Sequence, residues 1–217
     1  MTQATAMALD LQTEYTEHTE PIDQRVRLHN ISWEDYEALL AMRGESSALR
    51  VTYLEGELEI MAPSLNHELL KKRLARLLEA YAEVMGIELE GYGSWTVKKE
   101  QKQRGVEPDE CYVIGVGETP PERPDIAIEV VWTSGGIDKL EVYRGLAVPE
   151  VWVWQNNTLR FYSLHGANYV PSPRSGLLPE LDPAAMIRFM NAPSQTQAVS
   201  GFRQVLLAES DRAEVTE

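Results

Sequence analysis

Residues 123–146 read RPDIAIEVVWTSGGIDKLEVYRGL, and this stretch predicts a β-strand, a glycine turn and an α-helix. Strand side chains point alternately to opposite faces, and residues 125–131 are mostly apolar on both. Such a strand belongs inside a sheet that helices cover. Glu129 would then be a buried carboxylate, which is costly unless a cation or hydrogen-bond donors meet it. Glu129 is therefore the first candidate for chemistry.

Lys139 is a second polar residue in an apolar pattern, on the helix that follows. At 3.6 residues per turn it shares one face with Val142, Tyr143 and Leu146, so its ammonium group is expected to point toward the sheet. The turn at residues 134–136 would present backbone N–H groups suited to an anion such as phosphate. A structural alternative stays open, because an inward lysine can extend along apolar surface to solvent and a strand glutamate can face a crevice.

The composition is that of an ordinary globular protein. The 217 residues suffice for one domain with tails. A single cysteine, Cys111, allows no internal disulfide and gives no sign of a zinc cluster, which favours a reducing cytoplasm. No apolar run approaches the roughly 18 residues of a membrane span, and residues 1–24 contain acids but no Lys or Arg, unlike a signal peptide. We expect a cytoplasmic protein with no membrane partner.

The formal net charge of −14 argues against a broad basic face for nucleic-acid binding. More than half of the excess negative charge falls in residues 1–24 and 205–217, and local basic clusters occur at residues 71–76 and 98–104. Because a charge cluster usually marks a solvated surface, these clusters permit phosphate contacts without showing them.

The hydrophobic pattern predicts an α/β fold with a central mixed sheet flanked by helices. Residues 1–26 are acidic and aperiodic and predict a mobile arm, the domain would span residues 27–192, and residues 193–217 would form an amphipathic segment and an acidic tail. A long helix is predicted from Asn66, its cap, to a stop at Gly86. Further helices are predicted over residues 32–42, 139–146 and 183–190, and strands over 50–54, 57–61, 87–92, 94–98, 111–116, 125–131, 150–154, 159–164 and 169–171.

Asp109 stands at the start of the strand predicted over residues 111–116. On neighbouring strands, Asp109 and Glu129 could hold one divalent cation, with Lys139 just beyond. Mg²⁺ prefers carboxylate, water and phosphate oxygens, polarises a phosphoryl group and lowers the pKa of bound water, while a lysine stabilises developing negative charge. Taken alone, the pair Pro108-Asp109 is more typical of a turn.

In these residues the chain resembles the PD-(D/E)XK restriction-endonuclease-like superfamily and, more closely, the Uma2-like family of bacterial endonucleases within it. The resemblance spans roughly residues 28–165. It rests on the hairpin LEGELEIMAP (54–63), Asn66-His67 at a helix start, Glu107-Pro108-Asp109, the strand 125–131, Lys139 followed by Tyr143, and GLAVPEVWVW (145–154).

The resemblance implies a restriction-endonuclease-like core in which Asp109 and Glu129 bind Mg²⁺ or Mn²⁺ and Lys139 is the catalytic lysine. The superfamily usually has its lysine two residues after the acid, where this chain has Val131; the family is similar to this chain in having the lysine on the next helix. Asp125 is a rival to Asp109, but it lies in the same strand as Glu129. The candidate helpers are His67, Glu68, Glu107 and Asp125.

The expected function is that of a metal-dependent DNA endonuclease, which hydrolyses phosphodiester bonds with a metal-activated water. Two alternatives stay open, since a fold does not fix a function. One is a catalytically idle nuclease fold that serves as a binding or assembly module, which the acidic charge favours; the other is a metal-dependent hydrolase of another phosphoester. Apolar residues at 151–154 and the amphipathic segment further predict a homodimer.

Overall fold

The computed structural model describes residues 22–44, 46, 48–117, 119, 121–131 and 136–214. The elements are β1 (Gln24–Leu28), α1 (Trp33–Arg43), β2 (Arg50–Leu54), β3 (Glu57–Ala62), α2 (Leu65–Met85), β4 (Leu89–Gly91), β5 (Val97–Lys99), a 3₁₀ turn (Glu100–Lys102), β6 (Arg104–Val106), β7 (Glu110–Ile114), β8 (Ile126–Val131), α3 (Lys139–Leu146), β9 (Glu150–Gln155), β10 (Thr158–His165), β11 (Asn168–Ser172), α4 (Pro183–Met190) and α5 (Gln195–Glu214). Most of the predicted arm and of the predicted anion-binding turn at 134–136 lies outside the described residues.

Six strands form a large mixed sheet in the order β11-β10-β9-β8-β7-β4. Strands β8 and β9 are parallel, with α3 in the connection between them, and the other neighbouring strands are antiparallel. The predicted central strand, β8, therefore lies inside the sheet. The predicted fold class, an α/β restriction-endonuclease-like core with a mixed sheet and flanking helices, is confirmed.

Five strands form a second, small sheet in the order β1-β3-β2-β6-β5, and all its neighbouring strands are antiparallel. The sequence predicted its hairpin, β2 and β3, which turns at Glu55 (φ 48°) and Gly56 (φ 94°). Positive φ at both positions is what a two-residue hairpin turn requires. The sequence did not predict β6, which has only three residues, nor that the hairpin belongs to a separate sheet.

The two faces of β8 lie in different parts of the core. Ile126, Ile128 and Val130 belong to the main hydrophobic core, which α2, α4 and α5 cover. Ala127, on the opposite face, packs with residues of α3, β5 and β6 in a second apolar cluster. The predicted alternation of the strand is therefore present, and Glu129 faces the side of α3 and the small sheet.

Both predicted ends of the long helix α2 are present, but its first residue lies earlier than predicted. Ser64 caps α2 by accepting a hydrogen bond from the backbone of His67, so the helix begins at Leu65 and Asn66, the predicted cap, lies inside it. Gly86 ends α2 in the left-handed conformation, as predicted. The capping residue matters for the site, because it places His67 in the first turn of α2.

Elements of the structure extend beyond both ends of the domain predicted over residues 27–192. Strand β1 begins at Gln24, and Asp23 is buried, so the last residues of the predicted arm belong to the domain. The predicted amphipathic segment is α5, whose Ala198, Phe202 and Leu206 are buried in the main core. It is therefore part of the domain, and the surface on which the homodimer prediction partly rested is covered.

The other basis of the homodimer prediction, residues 151–154, lies in β9, which is an internal strand. Val151, Trp152 and Trp154 are buried between β8 and β10 and the layers above and below them.

None of the helices in the described residues combines the length and apolar character that a membrane span requires.

Candidate active site

Strand pairing places Asp109 and Glu129 side by side. Antiparallel pairing sets Glu110 of β7 opposite Ile128 of β8, so Asp109, one residue earlier, lies next to Glu129. Both carboxylates are buried, Asp109 at 1% exposure and Glu129 at 4%. Oδ2 of Asp109 accepts a hydrogen bond from the backbone N–H of Val130 at 2.7 Å. The two predicted metal ligands are thus neighbours in the interior of the sheet.

Lys139 and Tyr143 meet Glu129 from α3. Asp138 caps this helix, and the Nζ atom of Lys139 lies 2.5 Å from Oε2 of Glu129. The hydroxyl group of Tyr143, one turn later, donates a hydrogen bond to Oε1 of the same carboxylate. The predicted inward direction of Lys139 is present. The contact of Tyr143 was not predicted, although its position four residues after Lys139 placed it on the same helix face.

His67 joins Asp109 to the N-terminal part of the domain. Its ring is fully buried, with Nε2 3.0 Å from Oδ1 of Asp109 and Nδ1 3.2 Å from Oδ2 of Asp23. Asp23 also accepts a hydrogen bond from the backbone of Ser64, the cap of α2, at 2.8 Å. Sequence reasoning named His67 as a helper but missed Asp23, which it assigned to the arm.

Burial and neighbouring charges shift the pKa values of these groups in different directions. Burial raises the pKa of Glu129 above its usual range, and the charge of Asp109 adds to this against the opposing effect of Lys139. Burial acts likewise on Asp109, but Lys139, His67 and the Val130 N–H outweigh it and hold the pKa of Asp109 well below its usual range. For Lys139 and His67 burial alone would lower the pKa, and the adjacent carboxylates reverse this and raise it. Asp109 therefore stays ionised, while Glu129 takes up a proton more readily than an ordinary glutamate.

Glu59 of β3 is a third buried carboxylate near the site, and it was not predicted. It is 3% exposed, and its Oε2 accepts a hydrogen bond from the backbone of Ile137 at 3.2 Å. A Cβ atom at Gly136 would lie 2.5 Å from the same oxygen, so the absent side chain at Gly136 makes room for Glu59. Its charge also contributes to the raised pKa of Lys139.

Glu107, one of the predicted helpers, has a structural role. Its carboxylate accepts hydrogen bonds from Arg43 of α1, from the Thr96 hydroxyl at 2.7 Å and from the backbone N–H of Val51 at 2.9 Å. Both oxygens are thus used to join α1 to β2. The structure does not bring this carboxylate to Glu129.

Glu68 and Asp125 are likewise used elsewhere. The Glu68 side chain is 41% exposed and pairs with Lys71 at 2.5 Å and with Arg50 of β2 at 3.6 Å. Asp125 accepts a hydrogen bond from the backbone of Ile114 at 2.9 Å, beyond the end of the paired part of β7 and β8. Of the four predicted helpers, His67 alone contacts the pair of carboxylates in the described part of the chain.

The site opens into a cavity of about 210 Å³ between the large sheet, the small sheet and the start of α3. Glu129 and Lys139 line it, whereas Asp109 does not. The other charged residues of the wall are Arg25, Glu59, Asp138 and Arg160, and its apolar part includes Met61, Ile137, Val151 and Val153. A small anionic group that enters this cavity would meet cationic side chains from three different elements.

The donor set fits a divalent cation. Asp109 and Glu129 are adjacent and buried, and Oδ1 of Asp109, which lies 3.0 Å from Nε2 of His67, has no other partner among the described residues. Mg²⁺ typically takes only one or two carboxylates and completes its shell with water and phosphate oxygens. Two carboxylates suffice for this, although the described residues contain no group of three His, Cys, Asp or Glu side chains spaced to enclose an ion. In this structure the Lys139 ammonium supplies the positive charge beside the two acids.

Comparison with known proteins identifies the family. Residues 33–189, more than two thirds of the chain, match the family Uma2, described as putative restriction endonuclease. The description indicates a nuclease-like function. The matched range contains Asp109, Glu129, Lys139 and His67 but excludes Asp23 and α5. No curated protein matches the chain.

Proposed function

Because the chain belongs to the Uma2 family, we propose that it is a Mg²⁺- or Mn²⁺-dependent nuclease that hydrolyses phosphodiester bonds of DNA. One observation supports this most strongly: two adjacent buried carboxylates, Asp109 and Glu129, with the Lys139 ammonium group 2.5 Å from one of them, at a cavity. Burial of unlike charges at such short range is costly unless the groups serve chemistry or are fully compensated. Three buried carboxylates, Asp109, Glu129 and Glu59, act on the ammonium group of Lys139, whose single charge does not balance theirs.

Each residue has a definite part in the proposed reaction. Asp109 and Glu129 would hold the cation, which supplies polarisation of the phosphoryl group and a lowered pKa for a bound water. Lys139 places a positive charge at the cavity wall, where it would stabilise negative charge that develops on the phosphate. Tyr143 orients Glu129 by donating a hydrogen bond to the oxygen that Lys139 does not contact. Protein dipoles and charges fixed in this way need little rearrangement during the reaction.

A second candidate is a nuclease fold that has kept the site without catalysis and serves as a binding or assembly module. The net charge of −14 favours it, because a strongly acidic protein repels bulk nucleic acid. The proposal in either form concerns the single chain, since most apolar residues from which a homodimer was predicted are buried, namely Val151, Trp152, Trp154, Phe202 and Leu206.

The test is a calorimetric titration of Mn²⁺ into the wild type, Asp109→Asn and Glu129→Gln, with cleavage of single-stranded and duplex DNA assayed on the same samples. We expect the wild type to bind Mn²⁺ and cleave DNA, and each variant to lose at least about tenfold in Mn²⁺ affinity together with cleavage, because each removes a charged ligand oxygen. Glu180→Gln is the matched control, since it removes one exposed carboxylate outside the cavity.

Three results would count against the nuclease. Mn²⁺ affinity that is unchanged in either variant would show that Asp109 and Glu129 do not hold the ion together. Mn²⁺ binding without cleavage of any DNA would favour the binding module, and cleavage of small phosphate esters alone would favour another phosphoester hydrolase. Thermal melting of each variant separates loss of the site from loss of the fold.

A further inference from the structure

Arg160 lies on the strand next but one to Glu129 and faces the same cavity. Val153 of β9 pairs with Glu129 of β8 on one side and with Arg160 of β10 on the other. Residues directly opposite one another in a sheet point to the same face, and both Glu129 and Arg160 line the cavity wall. Since neighbouring strands are about 4.8 Å apart, the two Cα atoms are separated by about 10 Å.

The guanidinium group of Arg160 is exposed and makes no ion pair or hydrogen bond with any residue in the described ranges. Other cations of the region are engaged. On the cavity wall, Lys139 pairs with Glu129, and Arg25 lies 3.7 Å from Asp23. An arginine held in a strand, with its planar group of donors directed to an open cavity, is suited to a phosphate oxygen.

Members of both basic clusters predicted from the sequence are already engaged in structural contacts, and neither cluster lines the cavity. Arg73 donates to the backbone oxygens of Met190 and Ala192, at 2.5 Å and 2.8 Å, and so anchors α4 to α2. Lys98 pairs with Glu37 at 2.6 Å on the surface of α1. Because the whole protein is strongly acidic, a phosphate backbone must be attracted by local cations that no carboxylate already neutralises.

We propose that Arg160 binds a phosphate of the nucleic-acid backbone on the β10 side of the site, a few nucleotides from the bond that is cleaved. This rests on the proposed nuclease function and adds a direction for the substrate, across β9 from Glu129 toward β10. The rise of about 3.4 Å per nucleotide is measured along the helix axis, and neighbouring phosphates of one strand lie farther apart than this, so a separation of about 10 Å corresponds to about one to three nucleotides. The apolar side chains of Val151 and Val153 lie between the two charged positions on the cavity wall.

The experiment measures binding of fluorescein-labelled DNA, single-stranded and duplex, by anisotropy in EDTA, so that cleavage does not interfere. Arg160→Gln is compared with Arg174→Gln, which removes the same charge from an exposed arginine outside the cavity. We expect Arg160→Gln to weaken binding about tenfold at 0.1 M salt, since a hydrogen bond to a charged group is lost. The slope of log Kd against log salt should fall by about 0.7 to 0.9, the value for one phosphate contact. Arg160→Lys should keep the slope, because it keeps the charge.

A scan with single methylphosphonate linkages, which carry no charge, then locates the phosphate. A methylphosphonate at the phosphate that Arg160 contacts should weaken wild-type binding as much as Arg160→Gln does. The same methylphosphonate should have little further effect on binding by Arg160→Gln, because both changes remove the same contact and their effects are not additive. If the wild type binds and cleaves DNA while Arg160→Gln behaves like Arg174→Gln, the role of Arg160 is wrong and the nuclease function stands. If the wild type neither binds nor cleaves DNA, both proposals fall.

Discussion

Asp109 and Glu129 are neighbouring buried carboxylates whose pKa values shift in opposite directions, and their partners explain the difference. Asp109 accepts a backbone hydrogen bond and lies beside the His67 ring, and it also experiences the charge of Lys139. Glu129 is buried and pairs directly with Lys139, but the negative charge of the neighbouring Asp109 repels its own charge and raises its pKa. When two such groups interact strongly, one of them takes the first proton. A second cation beside the pair would relieve this repulsion, which is why the site suits a divalent metal.

Single residues differed in how well the sequence identified them. Glu129 and Lys139 could be predicted because each interrupts an otherwise apolar pattern at the spacing of its element. Asp23 could not, because it lies 44 residues before His67 in a segment without periodicity. Arg160 follows the alternation of an ordinary strand, and only the register of β8, β9 and β10 shows that it faces the same cavity as Glu129.

Asp23 is predicted to act on the site through His67. Asp23→Asn keeps an oxygen that can accept the Ser64 N–H but removes the negative charge beside Nδ1 of His67. The ring would then hold Asp109 less firmly, and we expect Mn²⁺ affinity to fall by about tenfold, as is common when the partner of a ligand residue is changed. Calorimetric titration of Mn²⁺ measures this.

The control for this prediction is Asp182→Asn, which alters the carboxylate that caps α4 by accepting the N–H groups of Ala184 and Ala185. Urea unfolding should show a lower free energy of unfolding for both variants, but only Asp23→Asn should weaken Mn²⁺ binding. Equal Mn²⁺ affinity in the two variants would show that Asp23 serves the fold alone.

Among the secondary-structure elements, the contact between α1 and the small sheet depends on a missing side chain. Tyr36 of α1 is fully buried, stacks on Tyr53 with 4.9 Å between ring centroids and meets Trp33 edge-on at 5.1 Å. A Cβ atom at Gly105 of β6 would lie 2.2 Å from the Tyr36 hydroxyl oxygen. This contact could not be predicted from the sequence, because β6 has three residues and no alternation to recognise, whereas the hairpin of β2 and β3 has both alternation and a turn.

Gly105→Ala should destabilise the protein by about 2 to 3 kcal/mol, since overpacking a well-filled core costs this much when the neighbouring rings cannot move. Urea unfolding followed by tryptophan fluorescence measures it. Tyr36→Phe removes the atom nearest to the added methyl group, and that hydroxyl makes no hydrogen bond with any described residue. The double variant should therefore regain part of the lost stability. Strictly additive effects would mean that the two residues do not meet.

For the whole molecule, the predicted fold class is confirmed, and the helices and strands extend beyond the predicted limits at residues 27 and 192. The fold class can be predicted because the apolar periodicity of β8 and of α3 indicates a buried strand followed by a helix that packs on it. Each of these patterns lies within a short stretch of the sequence. The limits depend on contacts between distant segments: Asp23 with the start of α2, and α5 with the length of α2. An acidic, weakly amphipathic stretch predicts a tail when it is considered alone, and it becomes part of the core only when α2 provides an apolar surface.

Phe202 tests whether α5 is an integral part of the domain. Its ring is fully buried in the main core, 5.6 Å from the ring of Phe189. Phe202→Ala should cost about 3 to 5 kcal/mol, because it removes a large apolar side chain and leaves a cavity, and urea unfolding should remain a single transition at a lower midpoint. Leu207→Ala is the control, since Leu207 on the same helix is 53% exposed and its loss should have little effect. If α5 were only an attached tail, Phe202→Ala would resemble Leu207→Ala, and the core would end at α4. A large loss would instead show that α5 stabilises α2, the helix whose first turn holds His67 against Asp109.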